Sequence, residues 1–212
     1  MTLPSTIVPG WDAGSDNVAS VPAGLGVPAG YDTGSEGIPW TQAQWWTYPE
    51  AIHIDQSPVD TPWNEYSDVA DIENSAVTIA DAAAWYRVAL ANFTSAVRPG
   101  QRYPCFYVSM GNVTALVNAL VYNEVQSGPC LWVADWSNYN QDTAAAYITE
   151  NAATDPNPFP IVGFQYARGQ FYDSDVFLAS WIDNRSAVSA PNAPTVTSIT
   201  VDFSNGTSQT LS

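Results

Sequence analysis

Short apolar runs, each closing on a polar residue, alternate along most of the chain with segments of helical period. That alternation predicts strand-helix units building a parallel sheet. Strands are expected over 7–12, 26–32, 51–55, 68–73, 105–109, 131–135, 161–165 and 172–177. Helices are expected over 41–48, 78–96, 112–124 and 143–151, the first three opened by Thr41, Thr78 and Asn112 as caps. In the longest, Ile79, Ala82, Ala83, Tyr86, Leu90 and Phe93 recur at spacings of three and four, which lays one apolar stripe on a sheet and leaves Asp81 and Arg87 outside.

Eight parallel strands with intervening helices predict a (β/α)8 TIM-like barrel. It should be shortened or irregular, because connections such as 56–68 are too short for a full helix. After Asn184 the composition becomes that of a Pro/Ser/Ala linker, and two β-rich stretches then flank Ser204-Asn205-Gly206, a favoured tight-turn sequence. The expected organisation is a barrel over 1–185 and a linker with a C-terminal β-hairpin tail over 186–212. A lone hairpin is marginal in water, so the tail should serve as an arm docking on the barrel or on another chain.

Charge changes the picture more than hydropathy does. The chain has 212 residues and a formal net charge of -16, from 21 acidic residues against 5 basic ones, and every basic residue is an arginine. Those arginines are scattered from Arg87 to Arg185, so nucleic acid and anionic lipid surfaces are poor partners. No apolar run approaches the roughly 20 residues of a spanning helix, and the N-terminus lacks the charged and apolar regions of a signal peptide. Cys105 and Cys130 open similar segments, YPCFYV and GPCLWV. On neighbouring strands, ~4.8 Å apart, they would lie either as a disulfide or as adjacent buried thiols. With His53 the sole histidine, no metal site and no cofactor are expected.

The working residues of such barrels lie at strand ends, and here those ends carry Asp12, Asp32, Asp55, Asp71 with Glu73, Asp135, and Asp173 with Asp175. Acids on one rim suit a neutral or cationic ligand such as a glycan. Asp71 and Glu73 share a strand face by period-two alternation, and two carboxyls in unequal surroundings can divide into a protonated acid and an ionised stabiliser. Acids at strand ends also cap helices and loop amides, a role open to Asp32, Asp55 and Asp135. Tyr31, Tyr107, Trp136 and Tyr166 fall at or just past strand ends and offer flat faces at the mouth. His53 is read as a structural histidine.

Five segments together resemble the family-25 glycoside hydrolases, lysozymes that cleave the muramic-acid link of peptidoglycan, and their glycoside-hydrolase-like relatives in actinobacteria and their phages. They are Gly10-Trp11-Asp12, Asp71-Ile72-Glu73, Leu131-Trp132-Val133-Ala134-Asp135, Phe164-Gln165-Tyr166 and Asp173-Ser174-Asp175-Val176-Phe177. The resemblance implies Glu73 as general acid, with Asp71, Asp12 and Asp173 orienting the sugar and stabilising positive charge. Tyr31, Asp32, Asp55, Tyr107, Asp135, Trp136, Gln165, Tyr166 and Asp175 are the expected substrate-binding residues. The segment from Val27 to Gln56 departs from the lysozyme pattern. Two functions follow. One is a phage-encoded muramidase-like enzyme acting on bacterial cell-wall glycan, and the other is a non-catalytic virion protein that keeps the barrel and contacts other virion proteins through its tail. Either places the chain in a phage particle or in the host cytoplasm before lysis.

Overall fold

The structure is a computed structural model that describes residues 6–33, 38–57, 67–72, 77–93, 103–151, 159–183, 199–202 and 208–211. Its centre is a closed barrel of eight strands in chain order: β1 (Ile7–Asp12), β2 (Val27–Tyr31), β3 (Ile52–Asp55), β4 (Val69–Asp71), β5 (Cys105–Ser109), β6 (Cys130–Ala134), β7 (Ile161–Arg168) and β8 (Asp173–Leu178). Among the described residues five α-helices accompany them: α1 (Gln42–Thr47), α2 (Ala82–Phe93), α3 (Val113–Tyr122), α4 (Gln141–Asn151) and α5 (Ala179–Asp183).

One expectation is overturned. The strands β1 to β7 run parallel, but β8 is antiparallel to both β7 and β1, so the barrel is mixed. The cause is chain length: the residues between Arg168 and Asp173 suffice for a hairpin turn and are far too few for a crossover, which needs a dozen or more. Asp173 and Asp175 therefore sit at the start of a descending strand. They still reach the rim where β1 to β7 end, because Asp12 pairs with Asp173 across the β1–β8 ladder.

Period-two alternation on β8 turns Asp173, Asp175 and Phe177 the same way, at successive depths below the rim. Phe177 fills the interior between Gly10 and Gly163, where a Cβ on either glycine would collide with its ring. Trp132 meets Phe177 edge to face at 4.9 Å and Tyr107 at 5.2 Å, so aromatic rings form the barrel's inner column. Below them α5 brings the buried Trp181 against Phe177, and its indole N–H donates to the Tyr103 carbonyl at 3.2 Å.

Outside the barrel, α2 buries Ala82, Ala83, Trp85, Tyr86 and Ala89 and leaves Arg87 exposed, as its period predicts. The expected caps hold only in part. Thr41 forms a capping box with Gln44, whereas Asn112 makes no side-chain cap bond and α2 begins at Ala82, four residues past Thr78. Gln44 also donates to the Ser15 carbonyl at 2.7 Å, tying α1 to the loop after β1. A second apolar cluster of Trp11, Ala13, Val18, Trp40 and Ala51 packs on the outer side of β1.

Cys105 and Cys130 are register partners on β5 and β6, both buried, and both are free thiols. Strands β9 (Ile199–Asp202) and β10 (Ser208–Leu211) pair antiparallel as a separate two-stranded sheet. The boundary expected between 185 and 186, and the linker beyond it, lie outside the described residues. No helix among the described residues is long and apolar enough to cross a membrane.

Candidate functional site

A polar cleft of about 370 Å³ opens at the rim where β1 to β7 end. Strand parity decides what faces it. Tyr31 lines the cleft and Ile54 the filled space beneath it, so their successors Asp32 and Asp55 turn outward. The acids that point inward are Asp12, Asp71 and Asp173, joined by Asp16 from the loop after β1.

Asp12 is the centre of the polar network. It is buried, its Oδ1 accepts from the Tyr31 hydroxyl at 3.3 Å, and its Oδ2 accepts from Gln165 Nε2 at 2.6 Å. The Gln165 Oε1 in turn accepts from the Tyr107 hydroxyl at 2.6 Å and from the indole N–H of Trp136. One buried amide thus fixes two aromatic side chains and a carboxylate together. Burial and then the neighbouring Asp173 charge push the Asp12 carboxyl up to about 7, against the pull of its hydrogen bonds. On the other side Gln56 Nε2 donates to Asp71 Oδ2 at 2.6 Å.

Asp173 accepts from the Gly169 amide at 3.0 Å; burial raises its carboxyl, while that amide and the Arg168 guanidinium oppose the rise. Arg168 also lies 5.2 Å from the Trp136 ring, a cation–π distance. Asp175 lies one layer deeper, fully buried, with Oδ1 accepting from the Trp132 indole at 3.1 Å. It touches the network from below rather than the cleft.

Asp32, Asp55, Asp135 and Tyr166, expected as ligand contacts, do not line this cleft. Asp32 binds His53 Nδ1 and the Ser67 hydroxyl, each at 2.7 Å, while the His53 ring stacks on Trp45 at 3.9 Å. This is a structural cluster, as read for His53, and it faces away from the cleft. Asp55 is buried beneath α2 and accepts from Thr33, the Ser57 amide and the Trp85 indole. Burial raises its carboxyl, and those three donors lower it in part. Asp135 is half-buried, caps its own turn and lines a neighbouring cleft with Trp136 and Met110, and donation from Asn138 leads the effects that lower its carboxyl. Tyr166 follows Gln165, turns to the other face and is absent from the cleft lining. Glu73 lies outside the described residues.

Sequence reasoning missed Gln56, Arg168 and the turn residues Phe171 and Tyr172, which line the cleft. The first was legible: Gln56 follows Ile54 by two residues and keeps its parity. Phe171 and Trp136, 44% and 42% exposed, set apolar faces at the edge of the polar floor. The cleft thus combines a polar floor with aromatic edges.

Comparison with protein-family models, with curated proteins and with solved structures yields no match to this chain. Function must therefore be argued from the cleft. Among the described residues no group of three or more His, Cys, Asp and Glu side chains is arranged to hold a metal ion.

Proposed function

We propose that this chain is a glycoside-hydrolase-25-like domain, an irregular (β/α)8 barrel, that binds bacterial cell-wall glycan in the cleft and hydrolyses it as a phage-encoded muramidase-like protein. The observation that carries the reading is the grouping of Asp12, Asp71 and Asp173 on one polar floor beside Tyr31, Tyr107 and Trp136. Glycoside cleavage needs a proton donor at the leaving oxygen and negative charge near the ring carbon as it becomes oxocarbenium-like. Asp71, held by Gln56, and the Asp12–Asp173 pair supply the second requirement. The donor is Glu73 by its spacing from Asp71 in the sequence: its proton goes to the glycosidic oxygen, the carbon–oxygen bond breaks, and water completes the hydrolysis.

Release of new reducing ends from purified peptidoglycan tests this. The wild type should be active, and Glu73→Gln should lose about 100-fold or more while staying folded. A second reading, a non-catalytic virion protein contacting other virion proteins through its tail, is favoured by the separate β9–β10 sheet. No activity of well-folded wild type on several wall types would leave that reading.

A further inference from the structure

Asp175 poses a problem that the glycan reading does not use. Its carboxyl is fully buried; Oδ1 is taken by the Trp132 indole, and Oδ2 has no donor among the described residues. The charged groups around it are all of one sign or neutral. Asp12 faces it from β1 and Asp173 precedes it on β8, and both raise its carboxyl, while the Arg168 charge acts on Asp173 at the rim. An ionised Asp175 would be a buried anion with half its oxygens unpaired beside a second carboxylate. Such an arrangement is strongly disfavoured.

The contact that remains is carboxyl to carboxyl, between Asp175 and Asp12. Two carboxylates repel, so a bond between them needs a proton on one. Asp12 is the acceptor by geometry, because both its oxygens already receive donors from Tyr31 and Gln165. Asp175, with a free oxygen and no cation, is the donor.

We propose that Asp175 is a positioning residue that keeps its proton through the neutral range and donates it to Asp12, so that the pair carries at most one negative charge and Asp12 is held from below against the cleft floor. The role does not depend on which ligand the cleft takes. The Trp132 indole completes the hold, since it fixes Oδ1 and leaves Oδ2 to turn toward Asp12.

The test needs no substrate. Carboxyl-carbon NMR titration of the wild type should show one aspartate, assigned to Asp175, that does not ionise between about pH 5 and about pH 8 and is missing from Asp175→Asn. Asparagine keeps one donor and one acceptor, so Asp175→Asn should hold the Asp12 midpoint, whereas Asp175→Ala, which removes the donor, should move it upward. Linkage gives an independent reading. A carboxyl raised in the folded state stabilises fully below its unfolded midpoint and loses that contribution as pH rises. The unfolding constant of the wild type relative to Asp175→Asn should therefore grow about tenfold per pH unit over that range. A carboxyl that titrates at an ordinary aspartate midpoint, a ratio flat with pH, or an Asp12 midpoint unmoved in Asp175→Ala overturns the assignment. Should Asp175→Asn fail to fold, the wild-type titration decides alone.

Discussion

Asp12 shows at the scale of one residue how the site opposes stability. Its carboxyl stands at about 7 in the folded protein against an ordinary value of 3.8, so the native state binds this proton more tightly than the unfolded chain. The sign follows: the contribution is fully present below about pH 4 and is lost as pH rises through about 7, a change of roughly 4 kcal/mol for three units. Asp12→Asn removes the titration but leaves one oxygen to serve both Tyr31 and Gln165. The variant should therefore gain roughly 2–4 kcal/mol over wild type at about pH 8 and lose up to about 2 kcal/mol at about pH 4, read from urea denaturation at the two pH values. An equal difference at both would show that Asp12 ionises freely in the fold. Asp12 was legible in the sequence because it closes a strand whose inward positions, Gly10 and Asp12, are fixed by parity. Asp32, Asp55 and Tyr166 misled for the same reason. Each sits at or near a strand end, but one residue after an inward-facing neighbour, and strand-end position without parity does not separate cleft from outer face.

At the scale of elements, seven of the eight strands were readable to within about two residues at both ends from where apolar runs stop, and the helices less well, since Asn112 looks like a cap but makes no side-chain cap bond and α2 starts four residues past Thr78. The direction of β8 was readable but not read. A connection too short for a crossover forces a hairpin, and that hairpin then carries Arg168, Phe171 and Tyr172 into the cleft, which explains why those residues were missed as well. The start of β5 and β6 offers a direct check of packing. Cys105 and Cys130 face each other there fully buried, and burial, followed by the contact with Cys130, drives the Cys105 thiol well up. The thiolate is the reactive form. Neither cysteine should react with an aromatic disulfide reagent in the native protein at about pH 8, and both should react once it is denatured, at a rate set by unfolding. Rapid stoichiometric labelling of the folded protein would mean that the base of the barrel is open at this edge.

The whole molecule carries a formal charge of -16, and its cleft adds Asp12, Asp16, Asp71 and Asp173 against Arg168 among the described lining residues. That field was fully legible in the composition, but composition does not show that the acids and the cleft share one end of the barrel. Their placement makes a prediction about encounter. A bacterial wall is itself anionic, so an acidic molecule presenting an acidic rim is repelled on approach unless salt intervenes. The screening length is about 30 Å at 0.01 M salt and about 10 Å at 0.1 M, the first comparable with the whole domain and the second with the cleft mouth alone. Under the glycan reading, kcat/KM on intact wall should rise several-fold over that range of ionic strength, whereas kcat/KM on a neutral N-acetylated oligosaccharide should hardly change. The contrast separates long-range repulsion from chemistry, because salt acting on the catalytic carboxyls themselves would move both substrates alike. A wall rate that falls with salt would show instead that local attraction through Arg168, beside Trp136, outweighs the net charge in docking.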